Sequence, residues 1–94
     1  MIRSYGDART QRFAKGLRVK PFEPMRRQAE KCLDRLDAAT NLGDVANFPG
    51  HRLEKLKGDR AGSYSIRVND QWRICFDWPS GSNGPENVII LDYH

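Results

Sequence analysis

The sequence predicts an α+β domain, with two N-terminal helices packed on one face of a mainly antiparallel sheet. Apolar residues recur at three- and four-residue spacing only before Gly50, and alternate at two-residue spacing only after it. Helices that precede strands, instead of interleaving with them, form segregated layers. At 94 residues the chain is expected to be a single domain over 1–94 with a modest core.

Taken in order, Ile2-Arg3-Ser4-Tyr5 reads as a short first strand. Asp7 can cap a helix over Ala8–Lys15, its carboxylate accepting from free amides of the first turn, and Gly16 is the stop. The second helix is clearer. Pro24 suits its first position, and Met25, Ala29, Cys32, Leu33 and Leu36 form the stripe that must be buried. Arg26, Arg27, Lys31, Asp34 and Arg35 lie mostly off that stripe. The stretch 40–50, with Gly43, Pro49 and Gly50, reads as an irregular loop.

Two strands of a hairpin follow. Tyr64, Ile66 and Val68 alternate with polar residues, as do Trp72, Ile74, Phe76 and Trp78. Cross-strand partners share a face, so Val68 should oppose Trp72 and Ile66 should oppose Ile74. That register demands a three-residue turn at Asn69-Asp70-Gln71. It also sets Arg67 opposite Arg73 on the open face, a repulsion that an anion between them would relieve. Residues 79–85 form a loop, and Val88-Ile89-Ile90-Leu91, apolar on both parities, suggests an interior strand covered on two sides.

Charge narrows the partners. Residues 1–60 hold 14 Lys/Arg and 8 Asp/Glu, against 2 and 4 in 61–94, so a net +6 faces a net −2. A basic first part suits a polyanion such as RNA, although a solvated helix surface has the same composition. No apolar run is long enough to cross a bilayer and no signal peptide is apparent, so no membrane role and a cytoplasmic location are expected. Cys32 and Cys75 read as small buried apolar residues, and with His51 and His94 they make no recognisable zinc spacing. No metal and no cofactor are expected.

Cutting RNA requires little equipment when the ribose supplies the nucleophile: proton transfer near neutrality and fixed cations for the phosphorane. Arg73 projects from a strand, and its planar fork matches two phosphate oxygens. Lys57 sits in the tight Lys57-Gly58-Asp59-Arg60 segment and supplies a positive charge, or a base if neighbouring cations lower its pKa. His94 can exchange a proton near pH 7, Asp92 can orient it or hold a cation, and Tyr93 offers a stacking ring and a phenol. Each also has a plainer role: an arginine paired with Asp77 or Asp92, a turn lysine in water, a frayed end. Asp59 bonding turn amides, Arg60 in an ion pair, and Trp72 and Trp78 in the core are structural assignments.

These segments resemble the HigB branch of the RelE-like toxins. The resemblance rests on Leu56-Lys57-Gly58-Asp59-Arg60, on Ser65-Ile66 with Asn69 and Trp72-Arg73-Ile74, and on the closing Asp92-Tyr93-His94. It implies a RelE-like microbial RNase fold and a metal-independent endoribonuclease that cuts mRNA in the ribosomal A site. Catalytic roles would fall on Lys57, Arg73, Asp92, Tyr93 and His94. Glu54 is a departure, because some relatives carry an active-site histidine there; a carboxylate would either be salt-bridged to Arg52, Lys55 or Lys57 or act as a base with a raised pKa. His51, three residues earlier and on the opposite face of a strand, is not assigned the role.

Such a nuclease would dock in the ribosome through basic helix residues, Arg12, Lys15, Arg18, Lys20, Arg26 and Arg27, with Arg67 of the open face as a further RNA contact. The resemblance also implies neutralisation by a HigA-like helix-turn-helix antitoxin, and contact with operator DNA only through that antitoxin. Two other classes fit the composition: a non-catalytic RNA- or ribosome-binding module, and an interaction protein whose basic face meets an acidic partner.

Overall fold

The computed structural model describes residues 1–48, 50–56 and 62–92. Helix α1 spans Ala8–Ala14, and the Asp7 carboxylate accepts from the Thr10 amide at 2.8 Å. Past its end, Gly16 takes φ +88°, a left-handed turn that lets the Leu17 amide reach back to the Arg12 carbonyl. Cap and stop are those the sequence implies.

The second helix starts later than the sequence suggests. Lys20–Met25 is a 3-10 helix, with Pro21 at its start and Pro24 inside it, and α2 runs over Arg26–Ala38. Pro24 has no amide to donate, so regular α bonding begins only beyond it. Glu23 reinforces the junction by accepting from the Val19 amide and from Arg26. Thr40–Gly50 is likewise not wholly irregular. Leu42–Ala46 forms a short helix, α3, capped by Asn41 accepting from the Asp44 amide, while Asp44 accepts from the Thr40 amide and hydroxyl. Those bonds hold the Asp44 carboxyl below its usual pKa. Burial of Val45 at 1% exposure anchors the turn.

The sheet is antiparallel in the order β1 (Glu54–Lys55), β2 (Ser63–Arg67), β3 (Trp72–Asp77), β4 (Glu86–Asp92). Ile66 opposes Ile74, which opposes Ile90, and Arg67 opposes Arg73. The Val68 amide donates to the Trp72 carbonyl at 2.9 Å, and the Asn69 side chain accepts from the amides of Gln71 and Trp72, closing the three-residue turn. The register therefore follows the alternation. Strand β4 differs from expectation: it is last in the order, and among the described residues its outer edge takes the N-terminal segment. Tyr5 makes a single parallel bridge to Val88, with Arg3 and Gly6 donating to the carbonyls of Pro85 and Val88. Val88 and Ile90 are fully buried, whereas Ile89 and Leu91 on the other parity are half-buried. An apolar run on both parities reflects a covered edge as readily as an interior strand.

One hydrophobic cluster joins helices and sheet. It contains Phe13, Phe22, Ala29, Leu33 and Leu36 together with Ile66, Ile74, Phe76, Val88 and Ile90. The strand residues are all of one parity, so the helices cover one face. Phe22 meets Phe13 and Trp72 edge-on at 5.4 and 5.3 Å between ring centroids. The buried Thr10 hydroxyl accepts from the Ile90 amide at 3.0 Å, pinning α1 to β4. Tyr64 and Trp78 pack at the margin. Both cysteines are buried, and burial raises the Cys32 pKa.

Candidate active site on the open face

The other parity carries Ser65, Arg67, Arg73 and Cys75. Arg73 is the fixed point. Its Nε donates to the Ser65 hydroxyl at 3.0 Å and a terminal nitrogen donates to the Arg52 carbonyl at 3.0 Å. Ser65 is fully buried on β2, on the same face and diagonal to Arg73, so it holds the guanidinium stem where water cannot compete. Arg52 is left-handed at φ 48°, a conformation costing a non-glycine residue about 1 kcal/mol. That strained residue helps to orient Arg73.

Glu54 lies 3.8 Å from the same guanidinium. Neither the partners expected for Glu54 nor those expected for Arg73 anticipate this pair. The reason is the short β1: Glu54 opposes Ser65, and Ser65 opposes Cys75, two residue pairs along from Arg73 and on the same face. Glu54 is more than half exposed, so the contact is worth no more than about 1 kcal/mol. Asp77 accepts instead from Ser63 and Asn87, and Asp92 accepts from Gln71 at 3.0 Å. Asp92 opposes Trp72 while Arg73 opposes Leu91, so strand alternation directs Asp92 away from the arginine's face.

The Arg67–Arg73 repulsion is relieved from within the fold. Arg67 pairs with Asp70 in the turn, and Arg73 is held by Ser65, Arg52 and Glu54. No external anion is required for the hairpin to close. Lys57, Asp59, Arg60, Tyr93 and His94 lie outside the described residues, and with them the expected meeting of His94, Lys57 and Arg73.

The basic residues of the first part divide into two groups. Arg12, Lys15, Arg18, Lys20 and Arg27 are exposed. Arg26 is spent inside the fold: it bonds Glu23 twice, Glu30 and the Leu17 carbonyl, and lies 4.6 Å from the Phe13 ring centroid. His51, unassigned from sequence, is buried at 2% exposure with Arg35 at 3.3 Å from Nε2. Burial first, then the Arg35 charge, lowers its pKa, against a smaller opposite pull from the Val45 backbone.

Beside Cys75, a groove of about 300 Å3 runs along the open face, lined by Ser63, Asp77, Asn87 and Ile89. A larger cavity of about 410 Å3 lies elsewhere, between the N-terminal segment, α1 and α2. Its rim carries Glu30, Asp34 and Asp37, which would repel a phosphate, so size is a poor guide to the chemistry here. Among the described residues, no three His, Cys, Asp or Glu side chains group to hold a metal, and no helix is long and apolar enough to cross a membrane.

An antiparallel sheet with helices on one face and an anchored arginine on the other defines a small α+β protein. The YoeB–YefM complex of Staphylococcus aureus shares this fold at a TM-score of 0.61 and 19% identity, covering all of this chain and 98% of that one. The YoeB dimer from the same organism does so at 0.59 and 22%, covering 99% and 94%. More specifically, residues 7–94 match the family described as the RelE-like toxin of type II toxin-antitoxin system HigB, and the chain belongs to that HigB-like toxin family. Toxin HigB-1 of Vibrio cholerae is 47% identical over 49 residues, 52% of each chain. Endoribonuclease HigB of Proteus vulgaris is 43% identical over 61 residues, 65% of this chain and 60% of that protein. The matched stretches thus span between half and two thirds of those relatives' lengths.

Proposed function

We propose that this protein is the toxin of a type II toxin–antitoxin pair and acts as an endoribonuclease on mRNA in the ribosomal A site. The observation that carries this reading is Arg73, fixed on a strand of the open face by Ser65 and the Arg52 carbonyl. A preorganised guanidinium stabilises charge that develops on a phosphorane without reorganising at the moment of reaction.

In the proposed reaction a base removes the proton of the ribose 2′-hydroxyl, and the 2′-oxygen attacks the adjacent phosphorus. Arg73 and Lys57 neutralise the pentacovalent oxygens. The bond to the 5′-oxygen breaks as an acid protonates it, leaving a 2′,3′-cyclic phosphate and a 5′-hydroxyl. Lys57, Tyr93 and His94 supply the proton transfers, and Asp92, directed to the other side of β4 from Arg73, serves to orient His94 or hold a cation. Because the nucleophile belongs to the substrate, no metal is needed to activate water. Docking uses the exposed Arg12, Lys15, Arg18, Lys20 and Arg27, and a HigA-like antitoxin neutralises the protein in the cytoplasm.

Mapping product ends in a ribosome-bound cleavage assay tests the reading. Cyclic phosphate ends with wild type, lost in Arg73→Ala, are expected; 5′-phosphate ends would exclude attack by the ribose. Lys57→Ala and His94→Ala should each slow cleavage by roughly one to four powers of ten. The Glu54 contact with Arg73 favours a second reading, a weakly active or non-catalytic RNA-binding module, because a carboxylate there opposes an approaching phosphate. Equal growth of cells induced for wild type and for Arg73→Ala would select it.

A further inference from the structure

Between α2 and the end of β2 lies a pocket of about 200 Å3 that the proposed reaction does not use. Its lining includes Gln28, Lys31, Cys32, Arg35, His51 and Arg67. Gln28, Lys31 and Arg35 are three, four and seven residues apart on α2, so they share one side of the helix. The chain crosses opposite them at His51, whose carbonyl accepts from the Arg67 amide at 2.6 Å.

Arg35 is held as carefully as Arg73. Its guanidinium carbon lies 4.6 Å from the Phe48 ring centroid, and one nitrogen lies 3.3 Å from His51 Nε2. A guanidinium can only donate, so Nε2 accepts and the imidazole is neutral, with its proton on Nδ1. That buried Nδ1 makes no well-formed hydrogen bond among the described residues, the Val45 backbone pulling on it only weakly. A buried histidine is thus committed to orienting an arginine.

The charges gathered here lack counter-charges. Among the described residues, neither Lys31 nor Arg35 has a carboxylate partner, and Arg67 has only Asp70, whose side chain is 98% exposed. Exposed pairs of that kind are weak and readily exchanged for another anion. Arg67 also opposes Arg73 across the hairpin, so the pocket continues the cationic surface of the candidate active site.

We infer that the Gln28, Lys31, Arg35 and Arg67 pocket binds a phosphodiester of the RNA strand away from the scissile linkage. Arg35 presents its remaining donors to the phosphate, Lys31 adds a point charge, and the Gln28 amide can donate to a phosphate or ribose oxygen. The inference rests on the ribonuclease reading for the identity of the polyanion.

The test uses the full chain and a fluorescent single-stranded RNA with every 2′-oxygen methylated, so that it binds without being cut. Affinity is measured by anisotropy across a salt series for wild type, Lys31→Ala and Gln28→Glu. Both side chains are exposed and outside the core, and thermal melts check the fold. Each variant should bind roughly five- to tenfold more weakly, and Lys31→Ala should lower the salt slope by about 0.7, the value for one single-strand phosphate contact. In cleavage of unmodified mRNA on the ribosome the loss should fall on KM. Unchanged affinity and slope in both variants would overturn the inference. So would a loss confined to binding of the neutralising antitoxin, which would make the pocket a protein-docking surface. Failure of the wild type to cut mRNA would remove the nuclease reading alone, because the uncleavable RNA still reports on the pocket.

Discussion

The two faces of the sheet use the same strands for opposite ends. On the helix side, Ile66, Ile74 and Ile90 stand opposite one another and are fully buried. Burial of one such side chain contributes about 1.5–3 kcal/mol. On the open side, Ser65 and Cys75, then Arg67 and Arg73, occupy the alternate positions. That side gathers like charges and a left-handed Arg52, and holds them by hydrogen bonds. The core and the candidate site are thus separated by one residue of register. A slip of β2 or β3 by one residue would turn that strand's arginine toward the core and its isoleucine out.

The separation predicts unlike outcomes for two substitutions, and the first is the largest effect. Phe22 is fully buried between Phe13 and Trp72. Phe22→Ala should destabilise by about 3–5 kcal/mol, much of what a small domain has, and lower the melting midpoint by roughly 12 °C or more. Arg73→Ala should melt within a few degrees of wild type yet lose cleavage by roughly 10²–10³. Circular dichroism melts beside ribosome-bound cleavage decide it. If Arg73→Ala unfolds as Phe22→Ala does, its role is structural and the two faces are not separable.

A smaller effect sharpens the open face itself. Glu54 draws the Arg73 guanidinium from 3.8 Å and would meet an incoming phosphate with like charge. Glu54→Gln keeps the shape and removes the charge, so cleavage should rise up to about fivefold, the ceiling for an exposed pair near 1 kcal/mol. A fall in cleavage would instead make Glu54 a participant in proton transfer.

How much of this was legible in sequence follows from how local each feature is. The Asp7 cap, the α2 stripe and the Ile66–Ile74 register depend on spacing within a few residues, and all three stand as expected. Helix α3 was hidden because Gly43 and Pro49 suggested a loop, while its stability comes from Asn41 and Asp44 bonding reciprocally with nearby backbone. Strand β4 read as interior because sequence cannot tell a neighbouring strand from a terminal segment lying along an edge. The Glu54–Arg73 contact and the His51–Arg35 pair join residues 19 and 16 positions apart across elements. No periodicity encodes such meetings, although Lys31 and Arg35 off the apolar stripe did mark a basic side of α2.

A final predicted effect is a pH dependence that separates the buried histidine from the surface carboxylates. His51 faces Arg35 from α2, while Lys31 of α2 and Arg67 of β2 line the same pocket; all three are cations. Desolvation and the Arg35 charge depress its folded pKa below the ordinary 6.5. The unfolded chain therefore takes up a proton near pH 6.5 that the folded chain refuses, and stability falls as pH drops below that value. One proton gives a slope of at most about 1.4 kcal/mol per pH unit. Glu23, Asp44 and Asp70, whose folded pKa values lie below the usual 3.8–4.5, begin to withdraw stability only in more acidic solution. Melts of wild type should therefore decline between pH 7 and 5.5, and His51→Gln, whose amide can still accept from Arg35, should flatten that decline while leaving the acid limb below pH 4.5 in place. An unchanged profile in His51→Gln would mean that Arg35 does not hold the imidazole neutral, and would remove the rigid guanidinium on which the second phosphate site depends.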